Sequence, residues 1–331
     1  MTDLTRLTAT ELIAAYRDGS VSPVEVTRAT LAAIDAGNDD VNAFVLVDAD
    51  GAVAAAVRSE ARWRCGSVLG PGDGIPTSIK DLLYTRGWPT LRGTNLIDER
   101  GLWTEDAPTV ARLRETGAVL LGKTTTPEFG WKGVTDSLRH GPTGNPWDAA
   151  LTCGGSSGGS AAAVGLGMGA WSVGTDGGGS LRIPAAFTGT VTIKPTYGLV
   201  PVWPASPFGT LSHAGPITRC VADAALMLDI LTGFDPRDWS ALPTPTARSW
   251  TDWTTACAAC ASRSRRIWAT CATTHRSRPR CGPLPRSWPM PVRTSSRPIP
   301  VSPIRSTPSM CCGSRAQPRS LRPTELTPCG A

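Results

Sequence analysis

Three stretches of the chain carry residues able to do chemistry. They are "GIPTSIKDLL" (74–83), "CGGSSGGS" (153–160) and "GTDGGGSLRIP" (174–184). Small residues on both sides of Ser156 and Ser157 let a backbone approach something closely. A phosphate cradle of the P-loop kind needs a lysine after its last glycine, and "GGSSGGSAAA" has none. A dinucleotide fingerprint needs an acid at a strand end about 20 residues on. Asp176 has that spacing from Ser156 but lies in a second glycine loop, so the cradle is the weaker reading.

A reactive serine fits better. Ser180 directly follows Gly177, Gly178 and Gly179. Successive glycines can turn several backbone N–H groups to one side, forming an anion-binding nest. Beside a reacting carbonyl such a nest is an oxyanion hole. Taken alone, "GGGS" is more often a turn at a strand end. The proton acceptor is less obvious, because His140, His213 and His275 all lie outside these loops. A lysine can serve if burial lowers its pKa enough to leave it neutral. Lys80 sits between Ile79 and Leu82–Leu83, which predicts a buried stem. The ordinary reading is a lysine at a strand end paired with Asp81. Cys153 reads as a small buried residue and not as a nucleophile.

These residues need elements to hold them. Thr8–Glu11 and Ser22–Glu25 are capping-box patterns, the second with Pro23 at the first helical position. The second helix is predicted to reach about Ala36 and to end at Gly37. Asp106 is predicted to cap a third helix in "APTVARLRETG", closed by Gly117, followed by a buried strand in "AVLLG" (118–122). "GIPTSIKDLL" predicts a strand entering a turn, and "GAWSVGTDGGGS" (169–180) a strand ending in a glycine loop. Helix followed by apolar strand is the rhythm of an α/β sheet covered by helices.

The net charge is +6, but its placement argues against a nucleic-acid partner. From residue 253 onward there are thirteen Arg, no Lys and one acid, Glu325, a balance of +12. The first 252 residues therefore carry −6, the difference between +6 and +12. Cys65, Cys153 and Cys220 lie in the first part and the other seven cysteines at or beyond Cys257. Three scattered cysteines give no disulfide framework. No apolar run reaches the roughly 18 residues of a membrane span, and the start has no apolar signal core, so a cytoplasmic protein is expected.

Residues 1–240 read as an ordinary α/β protein; residues 241–331, rich in Arg, Ser, Thr, Pro, Cys and Trp, do not. Disordered tails are seldom rich in Trp and Cys. Back-translating Trp253–Thr270 with GC-rich codons and reading two bases later gives "DDGVRGLRVALSPDLGD", which looks like α/β protein. The tail is therefore read as disordered and out of frame. "CAAC" (257–260) has the spacing of half a zinc site, but no matching second half follows, and no metal is expected.

Over roughly residues 5–240 the chain resembles the amidase signature family. The resemblance rests on Lys80 in its strand-end motif, the paired serines, "GTDGGGSLRIPAAFTG", and the 24-residue spacing from Ser156 to Ser180. "DAPTVARLRETGAVLLGKTTTPEF", "GPTGNPWD" and "HAGPITRCVADAALMLDIL" are also similar to family segments. The resemblance implies an α/β fold, a mixed central sheet covered by helices on both faces, here incomplete at the C-terminus. It assigns Ser180 as nucleophile, Ser156 as the bridging serine held in a cis peptide bond, and Lys80 as general base. Gly177, Gly178 and Gly179 match the oxyanion-hole backbone, and Thr175 and Asp176 match supporting positions. Arg182 is structural or a substrate contact, and Ser157 and Ser160 fill the helix start. The implied reaction is hydrolysis of a small-molecule amide through an acyl-serine, without metal or organic cofactor, in a monomer or homodimer. Two alternatives stand beside it: the amidase-type component of the glutamyl-tRNA amidotransferase, and a non-catalytic truncated fragment. Ile183 stands where the amidotransferase branch usually has Gln, which favours a free-standing amidase.

Overall fold

A computed structural model of the chain describes residues 3–246, all within one compact unit, Met1–Thr274. The readings of the tail from residue 247 onward, its altered frame and its disorder among them, lie outside the described residues.

Local sequence explains where the first helices begin. Thr8 and Ser22 each accept the backbone N–H three residues on, and Glu11 and Glu25 reach back to the cap N–H, completing two capping boxes. They open α1 (Ala9–Asp18) and α2 (Pro23–Val41). Then α3 spans Ala49–Cys65, α4 Pro108–Glu115, α5 Gly158–Leu166, α6 Arg182–Thr188 and α7 Val221–Leu231.

Two predicted boundaries are corrected. The second helix does not end at Gly37 but continues to Val41, where Asn42 adopts a left-handed cap at φ 52°. Gly37 serves close packing instead: a Cβ there would stand 2.8 Å from the Met168 methyl. Asp106 does not cap α4, whose cap position is Ala107 with no side-chain bond. Its carboxylate accepts the Arg86 backbone N–H at 2.7 Å and pairs with Arg114 at 3.1 Å. Gly117 does follow the end of α4 in the left-handed region.

Six strands form the central sheet: β1 (Phe44–Val47), β2 (Pro76–Lys80), β3 (Val119–Thr124), β4 (Trp171–Asp176), β5 (Val191–Thr192) and β6 (His213–Thr218). Their order is β1-β3-β2-β4-β6-β5. The central β3, β2 and β4 run parallel, and the remaining pairs are antiparallel, so the sheet is mixed as expected. Parallel strands need both faces covered. Alternation along β3 shows this directly. Leu120 packs with α1, α4 and α7, whereas Val119 and Leu121 pack with α2, α3 and α5. The same alternation on β2 sends Ile79 into the first core. Lys80, its neighbour, then faces the opposite side, toward the start of α5.

Candidate active site

Lys80 ends β2 and is fully buried. Its Nζ stands 2.7 Å from Ser156 Oγ, 2.9 Å from Ser157 Oγ and 2.9 Å from Thr175 Oγ1. Among the described residues no carboxylate forms an ion pair with it. Burial drives its pKa well below 10.5, and the charge of Asp176 only partly opposes this. The neighbouring Asp81 is not its partner. Asp81 turns to the buried Lys123, Oδ1 to Nζ 3.5 Å. The ordinary strand-end pair is thus replaced by two buried lysines, one compensated and one not.

The glycines of "CGGSSGGS" are set by crowding. A Cβ on Gly155 would lie 2.5 Å from Val134 backbone atoms, and one on Gly159 2.1 Å from Thr125 Oγ1. The Gly155–Ser156 peptide is cis. Ser157 occupies the cap position of α5 but makes no capping bond. Reading it as filler for the helix start is therefore corrected: its Oγ accepts from Lys80 and donates to the Thr175 carbonyl at 3.0 Å. Ser160 does fill, bonding Thr124 Oγ1 at 2.7 Å. The Ser157 N–H donates to the Ser180 carbonyl at 3.1 Å, which ties the serine-pair loop to the second glycine loop.

That second loop turns on Asp176, at the end of β4. Its Oδ1 accepts the Gly179 N–H at 2.8 Å and Arg182 Nη2 at 2.9 Å. Its Oδ2 accepts the Leu181 N–H at 3.1 Å and Arg182 Nε at 3.0 Å. Burial alone would raise this carboxyl; the Arg182 fork and the two N–H groups outweigh it and hold the pKa at about 2. Arg182 is thus a partner of Asp176. The Gly179 N–H is committed to that carboxylate, while those of Gly177, Gly178 and Ser180 donate to no protein acceptor among the described residues.

Ser156, Thr175, Gly177, Gly178 and Ser180 open onto one cavity of about 360 Å³. Its walls include Trp131 and Phe208, stacked at 5.7 Å between ring centroids, with Trp203, Leu82, Ile183 and Arg92. Sequence reasoning did not find this wall, because loops far apart in the chain contribute it singly. Gly179 and Arg182 do not reach the cavity. Cys153 is fully buried, and burial pushes its thiol up to about 12, so it offers no thiolate. His213 lies opposite Asp176 in the sheet, yet Nδ1 meets the Leu211 carbonyl at 2.8 Å and Nε2 meets Lys194 at 3.2 Å, so it reaches neither Lys80 nor Ser180. Among the described residues no group of three or more His, Cys, Asp or Glu could hold a metal.

A buried neutral amine on two hydroxyls, beside a serine that follows free backbone N–H groups, is the site of a serine-dependent acyl-transfer protein on a mixed α/β sheet. The sequence model of the Amidase family matches residues 25–258, and the chain belongs to that family. It is similar to the amidase-type component of the glutamyl-tRNA(Gln) amidotransferase of Acidothermus cellulolyticus, at 46% identity over 246 residues, 74% of this chain and 48% of that protein. It is also similar to the acylamidase of Rhodococcus erythropolis, at 42% over 233 residues, 70% of this chain and 49% of that one. The structure resembles that of a bacterial aryl acylamidase of the amidase signature family, with a TM-score of 0.66 at 37% identity, covering 72% of this chain and 50% of that chain. It also resembles a peptide amidase in complex with chymostatin, at a TM-score of 0.67 and 33% identity, 74% and 51% covered. The chain spans about half the length of the curated relatives it matches.

Proposed function

We propose that Ser180, Ser156 and Lys80 are the catalytic group of an amidase that hydrolyses a carboxylic amide through an acyl-serine. The observation that carries this reading is the 2.7 Å contact of a fully buried, unpaired Lys80 Nζ with Ser156 Oγ. A neutral amine has two N–H donors and one lone pair, so it cannot donate in all three of its contacts. Ser157 has already given its proton to the Thr175 carbonyl, so Lys80 donates there. The shortest contact, to Ser156, then receives the lone pair: Ser156 donates to Lys80 and its oxygen is free to accept from Ser180. Ser180 loses its proton to Ser156 while Ser156 passes its own to Lys80, and the serine oxygen attacks the amide carbon. The N–H groups of Gly177, Gly178 and Ser180 take the developing oxyanion. Gly179 is not among them, since its N–H holds Asp176. Lys80 returns the proton through Ser156 to the departing amine, and water then cleaves the ester.

Asp176, Arg182 and Thr175 act by holding this geometry. A small-molecule amide as partner and a cytoplasmic location belong to the same proposal. Supporting the second, no helix among the described residues is long and apolar enough to cross a membrane. The amidase-type component of an amidotransferase is the second reading, favoured by the 46% identity to such a protein. Against it stands the apolar Ile183 in the cavity wall. The test is incubation of the full 331-residue chain and its Ser180→Ala variant with simple aryl and aliphatic amides and with a fluorophosphonate probe. Hydrolysis and a single adduct on Ser180, both lost in the variant by several orders of magnitude, are expected. An unlabelled, inactive but folded wild-type chain would establish the non-catalytic fragment instead.

A further inference from the structure

The cavity beside Ser180 has two charged residues in its wall, Arg92 and Lys132, and no acid. Lys132 is neutralised by Asp136. The Arg92 guanidinium makes no ion pair and donates no hydrogen bond to any described residue. Its one partner is the face of Tyr84, with Cζ 5.4 Å from the ring centroid.

The backbone holds Arg92 firmly in place. It sits in the left-handed region at φ 54°, uncommon for a residue with a side chain. Its N–H donates to the Asp81 carbonyl at 3.1 Å, and its own carbonyl accepts the Phe129 N–H at 2.8 Å. Behind it, Lys123 binds Asp81, the Leu83 carbonyl at 2.7 Å and Thr90 Oγ1 at 2.8 Å. The neighbouring Gly93 could not carry a Cβ, which would meet the Thr126 carbonyl oxygen at 2.5 Å. An always-charged planar fork is thus held half-buried, with all its donors unused, on the wall of the reaction cavity.

We infer that Arg92 selects amides that carry a carboxylate, on the acyl chain or on the amine, and binds that carboxylate in the Ser180 cavity. The inference rests on the proposed amidase reading and names its substrate class. A carboxylate matches the guanidinium fork in charge and geometry and uses two of its donors at once. The rest of the wall, Trp131, Trp203, Leu82 and Phe208, covers the apolar part of such a substrate.

The test uses two series of p-nitroanilides. One carries ω-carboxyacyl chains from succinyl to adipoyl, the other uncharged acyl chains of equal length. A third series, acetyl amides of aminobenzoic acids, places the carboxylate on the amine. The full chain is expected to prefer one carboxylate series on the order of 10- to 100-fold in kcat/KM, expressed mainly in KM. In Arg92→Gln the ratio should fall to near one, and Arg92→Lys should keep part of it. Hydrolysis without such a preference, or a preference that survives Arg92→Gln, overturns the inference and leaves the amidase reading standing. If no amide is cleaved, the amidase reading falls. Calorimetric binding of glutaric acid monoanilide to wild type and Arg92→Gln then decides: loss of binding in the variant upholds Arg92 as a carboxylate site, and equal affinity, or no binding to wild type, removes it.

Discussion

Replacing Asp176 by Asn keeps the side chain's size and removes only its charge and one acceptor. In the wild type both carboxylate oxygens accept from Arg182, and between them they take the N–H groups of Gly179 and Leu181, on either side of Ser180. An Asn can face one of these N–H groups with its oxygen. Its NH₂ must then meet the other donor, and a buried N–H loses its partner. A carboxyl held at about 2 instead of 3.8 contributes roughly 2 kcal/mol at neutral pH. Screening trims this, since the Arg182 side chain is 55% exposed. The unmatched donor adds about 1–3 kcal/mol.

The expected loss is therefore about 2–4 kcal/mol, or a Tm lower by roughly 5–10 °C for a domain of this size. Turnover should fall on the order of 100-fold, because the variant loosens the turn that aims Ser180 and its neighbouring N–H groups. The acid limb supplies an independent signature. The folded carboxyl titrates below the unfolded one, so its contribution is fully present above about pH 4 and is lost as pH falls toward 2. Wild type should lose stability through that window, and the Asn variant should lose less. Urea unfolding followed by circular dichroism between pH 2 and 7, with p-nitroanilide turnover at pH 8, measures all three. Equal stability with the same acid limb would refute the assignment of Asp176 as the holder of the nucleophile turn.

Three further outcomes follow from the same geometry. Burial lowers the Lys80 pKa, so turnover should rise with pH through that lowered value. The unfolded amine, titrating near 10.5, holds a proton the folded one has lost, so stability should also rise with pH up to that value. Lys80→Met should abolish turnover and flatten that stability slope, and a folded Lys80→Arg variant with near-normal turnover would remove Lys80 as base. Gly159→Ala should destabilise by about 3 kcal/mol or more, because its Cβ collides with Thr125 and with the Ala43 carbonyl 2.6 Å away; a Tm within 2 °C of wild type would contradict that packing. Cys153 should resist iodoacetamide at pH 8 in the folded chain while the exposed Cys65 reacts, as read by peptide mass spectrometry; equal labelling would contradict the buried, protonated thiol.

What the sequence determined by itself was local or written in spacing. The capping boxes at Thr8 and Ser22 close within three residues, so no other part of the chain is needed to predict them. The mixed sheet, the buried stem of Lys80 and the small-residue approach around Ser156 follow from apolar runs and from glycines that tolerate close contact. Where two partners compete for one group, sequence was not enough. Asp106 stands where a cap belongs, yet the Arg114 guanidinium and the Arg86 N–H prevail over the helix end. Gly37 carries the residue type of a terminator, but the Met168 methyl takes the place of its missing Cβ and the helix runs on. Asp81, adjacent to Lys80, points away because successive strand side chains face opposite sides of the sheet, which leaves it to Lys123. Only tertiary structure left Lys80 without a carboxylate, set Ser157 on its amine, and assembled Trp131, Phe208 and the unpaired Arg92 around one cavity. These contacts join residues tens of positions apart, and their free energies depend on burial, which no short stretch of sequence specifies.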